Sequence, residues 1–347
     1  MDTAMLLRKL RQDEREIYNK VIEHPLQTWE WGEFRKNTGV EIERVGLFDN
    51  GKLQRAFQVS FHTIPFINRT IGYLPKSYLP DDLQLSSLQQ IAKEHNAVAI
   101  KLEPNVAQPI SDKSAHWKIA EFLLKHGAVA GRPLFTKYSF SIDLTRTDDE
   151  LFAKLSNKTR YNVNLAVKKG VKIEERTSEA GMQEYLEILA ETTKRQGFYA
   201  HSPSYFSKMW EALKDSGMIR IFAAVYEGKT LASWIMFVQN KVLYYPYGAS
   251  RSIHRDVMAS NLMLWEMILF GKSVGCTSFD LWGSLGPDPD KKHPWYGFHR
   301  FKKGYGGTLV EFVGTYDLVI DPLWYKIFRT GDTIRWKLLR MKAKLGI

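Results

Sequence analysis

Late in the chain two adjacent lysines, Lys302 and Lys303, follow Phe301 and precede a turn rich in glycine, with Gly304, Gly306 and Gly307. A cation beside backbone free of side chains suits an anionic ligand. The glycines admit close approach, and the ammonium stabilises negative charge at a phosphate or a developing tetrahedral oxyanion. The same residues do not suit a metal, which asks for carboxylate, imidazole or thiolate ligands. The apolar strand expected over residues 309–313 needs no glycine of its own, so the glycines are assigned to contact with a partner. On an extended approach to that strand the two lysines point opposite ways, so one of them serves the site.

Other groups carry cations. Arg195 is placed at a helix end before Gly197, Phe198 and Tyr199, where its fork can hold a carboxylate or phosphate bidentately, or close an ordinary ion pair. A loop that begins at Tyr247 carries Arg251, Arg255 and Asp256, the last suited to holding Arg255 in place. Strands ending at Tyr247 and Leu281 are expected to bring this loop and the Lys302 segment to one side of a sheet. Lys158, Arg160, Lys168 and Lys169 share a helix that ends at Gly170, either a surface for a phosphate backbone or a solvated face. Near the start, Trp29, Trp31 and Lys36 combine aromatic surface with a cation and could stack on and neutralise a nucleotide; core packing explains the tryptophans equally well.

Several chemistries are excluded. The sequence has no Gly-x-Gly-x-x-Gly, no phosphate-binding Gly-x4-Gly-Lys-Ser/Thr and no His-Glu-x-x-His. Its histidines are dispersed, and the one cysteine, Cys276, allows no internal disulfide and reads as a small buried residue. No metal or cofactor is expected. The 49 Lys plus Arg against 38 Asp plus Glu leave a formal +11, which favours encounter with polyanions or an acidic membrane face. No signal-peptide pattern or membrane-length apolar run stands out, so a cytoplasmic location is expected, with peripheral contact at the inner membrane face as an option.

These residues must be held by α/β elements. A helix is expected over residues 6–21, then a short helix capped by Thr28, strands at 53–61 and 70–74, a helix at 83–95 and a strand at 97–102. Gly127 closes a helix begun near Trp117. The second unit opens with a strand from Tyr138, followed by a helix that starts at the capping box Thr147–Glu150 and runs to Gly170. A hairpin turns at Glu227-Gly228-Lys229, a third strand covers 241–247, a helix 258–274 and a strand 278–281. Residues 282–299 read as a long loop, and the chain from Pro322 onward as basic and amphipathic. The similar element order of the halves suggests an internal duplication.

Read together, Thr28-Trp-Glu-Trp-Gly-Glu-Phe34, Leu102-Glu-Pro-Asn105, Lys158-Thr-Arg160, Lys168-Lys-Gly170, Thr192-Thr-Lys-Arg195, Tyr247-Gly-Ala-Ser250, Phe279-Asp-Leu-Trp-Gly283 and Gly297-Phe-His-Arg-Phe-Lys-Lys-Gly304 resemble the Fem family of peptidoglycan bridge-forming aminoacyltransferases. Their order and spacing carry the likeness, which is strongest to the short FemX-like members. It implies two tandem GNAT-like acyltransferase domains, residues 1–142 with 314–347 and residues 143–313, without a coiled-coil arm. It also implies transfer of alanine, serine or glycine from aminoacyl-tRNA to the stem-peptide amine of a UDP-linked or lipid-linked precursor, by a monomer needing no ATP.

By the same likeness Lys36 matches a residue gripping the precursor's phosphates, with Arg195 and Tyr247 lining the channel. Lys302 matches the lysine near the acyl ester, Tyr296 a pocket residue, and Glu103 a carboxylate at a first-domain strand end that could accept a proton. Trp31, Tyr199, Arg251, Arg255 and Lys303 complete the substrate-binding candidates. Competing expectations are an N-acyltransferase using acyl-CoA, a noncatalytic RNA-binding protein, and a membrane-surface scaffold built on the C-terminal segment.

Overall fold

The computed structural model describes residues 6–112, 114–196 and 201–345. The chain is a mixed α/β protein with two sheets. The first begins with β1 (Leu6–Lys9), β2 (Glu41–Asp49), β3 (Lys52–Thr63), β4 (Thr70–Pro75) and β5 (Ala97–Glu103). The chain visits the second sheet with β6 (Ala107–Pro109), returns with β7 (Ala128–Ala130), and crosses again at β8 (Tyr138–Asp143). It stays there for β9 (Lys172–Glu175), β10 (Ile219–Tyr226), β11 (Lys229–Gln239), β12 (Val242–Ser250), β13 (Ser278–Asp280) and β14 (Thr308–Phe312). β15 (Tyr316–Val319) closes back between β5 and β7, so the orders are β1-β2-β3-β4-β5-β15-β7 and β6-β14-β8-β13-β12-β11-β10-β9.

The helices are α1 (Arg15–Val21), α2 (Trp29–Asn37), α3 (Asp82–Glu94), α4 (Ser114–Lys125), α5 (Asp148–Lys154), α6 (Asn157–Lys169), α7 (Glu179–Gln196), α8 (Pro203–Leu213), α9 (Ala259–Ser273), α10 (Tyr296–Lys303) and α11 (Pro322–Leu345). Several start and stop where local chemistry demands. Thr28 Oγ1 accepts the Trp31 amide at 3.3 Å, and Thr147 with Glu150 forms the capping box of α5. Gly127 and Gly170 take φ of +82° and +85° after α4 and α6, a conformation that costs glycine little.

Three expectations are corrected. Residues 6–9 are strand, not helix: Leu6 to Lys9 pair with Phe48 to Val45, which leaves a 3-10 turn at Gln12–Glu14 and an α-helix over residues 15–21. The single helix from 147 to 170 is broken at Leu155, because Ser156 Oγ accepts the Thr159 amide at 3.2 Å and caps a new helix. The segment holding Lys302 and Lys303 is the last turn of α10, not a strand approach, and its glycines meet the protein itself. A Cβ on Gly304 would fall 2.3 Å from Thr159 Oγ1, and one on Gly307 3.0 Å from Ile142 and the Ser141 carbonyl. The glycines admit α6 and β8, not a ligand.

Beneath the first sheet, Phe57, Val59 and Phe61 of β3 pack on Leu85, Leu88 and Ile91 of α3. A second core joins the halves, with Leu26, Trp31 and Phe34 buried among Tyr185, Phe206, Trp210, Ile235 and Phe237. This apolar seam fixes α2 on the second half. Cys276 is buried and free.

Candidate functional site

The site grows from one row of the first sheet. Ile42, Ser60, Tyr73, Lys101 and Asp317 are successive cross-strand partners on β2, β3, β4, β5 and β15, so their side chains share a face. That face floors a cleft of about 810 Å³. Along β3 the alternation is strict: Phe57, Val59 and Phe61 enter the core, while Gln58, Ser60 and His62 line the cleft. Trp31 and Arg35 of α2 and Tyr205 of α8 form one wall, and Phe328, Arg329, Asp332, Thr333 and Arg335 of α11 another.

The cleft is cationic. Its two carboxylates are neutralised from within: Asp317 receives Lys101 at 2.5 Å and the Tyr325 hydroxyl at 2.8 Å, and Asp332 pairs with Arg132. Arg35, Arg329 and Arg335 form no ion pair with a carboxylate among the described residues. His62 lies 3.0 Å from Ser60 Oγ, and burial together with the nearby Arg35 pulls its imidazole down to about 4, so it is neutral near pH 7. Neutral polar groups on the floor and guanidiniums on the walls suit a large anion with hydroxyl or amide groups, such as a phosphorylated sugar or a peptide.

Of the candidates read from the sequence, Trp31 lines this cleft. Lys36 points outward, paired with Glu33 at 3.0 Å, and its neighbour Arg35 is the residue that faces inward. Tyr247 stands behind the wall, half-buried against Phe206 and hydrogen-bonded with Tyr205; burial raises both phenols. Arg195 donates to Ser252 Oγ at 2.9 Å and Ser250 Oγ at 3.2 Å, while Arg251 reaches Glu191 at 3.2 Å. These two arginines gather at the end of β12, away from the cleft lining. Arg255 is exposed and makes no ion pair with Asp256, and Tyr199 lies outside the described residues. Tyr296 is half-buried at the start of α10, and Lys303 is exposed at its end.

The expectation that two loops leave the same sheet end has a structural counterpart: β12 and β13 run parallel, with Tyr244 opposite Asp280. Lys302 is wholly buried behind that end. Its Nζ donates to the carbonyls of Leu281 and, at 2.7 Å, Gly283, and lies 3.7 Å from the Phe298 ring centroid. Burial pulls the lysine well below its usual range, with half-buried Asp280 opposing the shift. Asp280 accepts from Ser139 Oγ and from the Trp282 amide, and it also faces Lys76 of the first half. Lys76 and Trp282 hold φ of +50° and +72°, conformations uncommon outside glycine, on either side of this carboxylate.

Glu103 ends β5 outside the cleft lining. Its carboxylate accepts from the Tyr73 hydroxyl at 2.5 Å, the amides of Leu134 and Phe135 at 2.8 and 3.0 Å, and the Thr315 hydroxyl at 2.7 Å. Four donors make it a brace between β5, the chain before β8 and the return to β15. Glu103→Gln turns an amide donor toward these donors, and an expected loss of about 2 kcal/mol follows from one or two unmade buried bonds. Urea denaturation checks this; a midpoint equal to wild type removes the bracing role.

Arg35, Ser60, His62, Tyr73, Arg329 and Arg335 belong to no sequence motif. One local signal was present: Gln58, Ser60 and His62 alternate with Phe57, Val59 and Phe61, which marks a strand with one polar, covered face.

Comparisons with known proteins agree with this architecture. The profile of the FemAB family matches residues 17–225 and 221–332. A lipid II:glycine glycyltransferase of Staphylococcus epidermidis is 25% identical over 397 aligned positions, covering 92% of this chain and 93% of that protein. The crystal structure of FemX superposes with a TM-score of 0.83 at 22% identity, covering 93% of this chain and 99% of that one. A tandem GNAT protein from the clavulanic acid biosynthesis pathway shares the fold more loosely, with a TM-score of 0.50 at 11% identity over 92% of this chain and 99% of that one. With its family profile spanning both sheets and the cleft between α2 and α11, the chain belongs to the FemAB family.

Proposed function

We propose that the protein is an aminoacyltransferase that moves an amino acid from its ester on tRNA to the free amine of a peptidoglycan precursor's stem peptide. The observation that carries this reading is the cleft, whose excess guanidiniums and neutral floor fit a phosphorylated precursor that ends in a peptide. The staphylococcal relatives are named for glycine transfer to lipid II, which makes glycine the first donor to try, with alanine and serine beside it. Residues 1–142 with 314–347 would hold the precursor, and residues 143–313 the acyl ester.

In the reaction the amine attacks the ester carbonyl, the new C–N bond forms, and the C–O bond to the ribose breaks as that oxygen takes a proton. The substrate amine, with a pKa of roughly 10.4 in water, must first lose a proton. Glu103 is fully engaged by four donors, so a precursor phosphate or water is the better acceptor. Alignment of two large anions supplies most of the acceleration, and Lys302 stabilises the charge that develops on the ester oxygen.

A matrix of charged tRNAs against UDP-linked and lipid-linked pentapeptides, read by product mass, tests this. The expected result is one aminoacyl addition with at least one pair. Product formed with acyl-CoA but with no charged tRNA selects an N-acyltransferase, and salt-sensitive RNA binding without amide formation selects an RNA-binding protein. In the active pair, Arg35→Met is expected to raise the precursor KM about 10-fold or more, the worth of one charge-assisted hydrogen bond, with a smaller change in kcat. An unchanged KM removes Arg35 from the binding wall.

A further inference from the structure

Beside the cleft stands a surface that the proposed reaction does not use. At the tip of the β3–β4 connection Phe66 is completely exposed, with a relative exposure of 105%, and holds φ of +69°. Its turn is closed by the Ile64 amide on the Arg69 carbonyl at 2.9 Å and the Ile67 amide on the Ile64 carbonyl at 3.4 Å. The ring is thus held out in water by a tight turn. One exposed apolar residue is ordinary by itself; this one adjoins further exposed apolar residues on α11.

The turn leans on α11. Ile64 shares a cluster with Trp324, Tyr325 and Phe328, and the Arg69 guanidinium lies 5.4 Å from the Trp324 ring centroid and 3.8 Å from Asp321. While Tyr325 and Phe328 face the sheet and cleft, Leu323, Ile327 and Ile334 are 69%, 51% and 54% exposed. At 3.6 residues per turn these three positions fall within about 40° of one another on one outward stripe, with Thr330 between Ile327 and Ile334. Exposed Lys326 and Arg335 border it on opposite sides. The nearby carboxylates are turned to internal partners, Asp321 toward Arg69 and Asp332 toward Arg132.

We infer that Phe66 and the outward stripe of α11 dock the protein on an anionic phospholipid bilayer. An apolar stripe bordered by cations, on a chain of formal charge +11, is the pattern of a helix lying in a membrane interface. The docking elements also frame the cleft: Thr63, Ile64 and Pro65 precede Phe66 along one rim, and Arg329, Thr333 and Arg335 come from α11 on the other. The bilayer contact therefore sets the cleft mouth at the headgroup level, where a precursor carried on a lipid presents its phosphates and peptide. This extension rests on the precursor reading for its purpose, but not for the contact itself.

Flotation of the full chain with vesicles of phosphatidylglycerol and phosphatidylcholine in equal parts, against phosphatidylcholine alone, tests the contact. The anionic vesicles are expected to carry the protein and to release it as salt rises. Phe66→Glu with Ile327→Glu is expected to weaken binding tenfold or more, and Lys326→Gln about fivefold, the worth of one surface cation near an anionic leaflet. None of the three residues lines the cleft, so transfer to a soluble UDP-linked acceptor is expected to stay at the wild-type rate, while transfer to a lipid-linked acceptor in vesicles falls with binding. Wild type that ignores anionic vesicles, or a double variant that binds as well as wild type, overturns the docking surface. A wild-type dimer made monomeric by the double variant, without vesicle binding, reassigns the stripe to self-association. Absence of transfer with every acceptor sinks the functional reading and leaves the vesicle result to decide the contact.

Discussion

Lys76→Met is expected to be more stable than wild type at pH 7 by about 4 kcal/mol, an advantage that shrinks to under about 1 kcal/mol near pH 10. Lys76 is buried, 3% exposed, with its Nζ 3.0 Å from the Phe312 centroid and 4.1 Å from the Phe135 centroid. Burial lowers it from 10.5 to about 7, against the opposing pull of Asp280 and Glu103. Between those two values the unfolded chain binds more protons than the folded one, so wild-type stability rises with pH across the window and levels off above it. Methionine fills a similar volume, carries no charge to desolvate and removes the dependence. Denaturant melts of both proteins from pH 7 to pH 10 measure the gap. Parallel curves would show that Lys76 keeps its ordinary affinity for protons in the fold.

Lys302→Met is expected to lower the rate of acyl transfer about 100-fold, the scale of removing one donor to a developing oxyanion, while leaving precursor affinity near wild type. Affinity should hold because Lys302 is absent from the cleft lining. The rate should fall because its ammonium has three N–H groups, of which the carbonyls of Leu281 and Gly283 take two, and the third, covered by the Phe298 ring, reaches the ester once that ring moves aside. The negative charge that develops on the ester oxygen as the amine adds favours the charged form that burial opposes. Single-turnover transfer, calorimetric precursor binding and thermal melts are to be read together. A lower melting point with unchanged transfer at permissive temperature would make Lys302 a brace for residues 281–283 and end its assignment to the ester.

These two lysines illustrate what a linear reading can and cannot reach. The Lys302 segment was identifiable as chemically unusual, and the likeness to the Fem family rested partly on it, but its helix was read as strand approach. Tyr296 to Lys303 is only eight residues long, follows a proline-containing loop and gains its stability from packing His299 and Lys302 inward. Lys76 carried no signal, because nothing in its neighbourhood along the chain indicates the approach of Asp280 and of the Phe135 and Phe312 rings.

The sequence by itself determined what depends on neighbours a few residues apart: the caps at Thr28 and Thr147, the left-handed stops at Gly127 and Gly170, the hairpin of β10 and β11, the mixed α/β class and, through spaced motifs, the family. Tertiary structure decided which cations face one cavity. The row Ile42, Ser60, Tyr73, Lys101 and Asp317 spans 275 positions of chain and exists only once five strands adopt their register. Arg35 and Lys36 differ by one position and by about 100° around a helix, so the packing of Trp31 and Phe34 against the second half chose between them. Caps and turns are settled by local hydrogen bonds, whereas a cleft is settled by burial summed over distant segments, and that sum has no local signature.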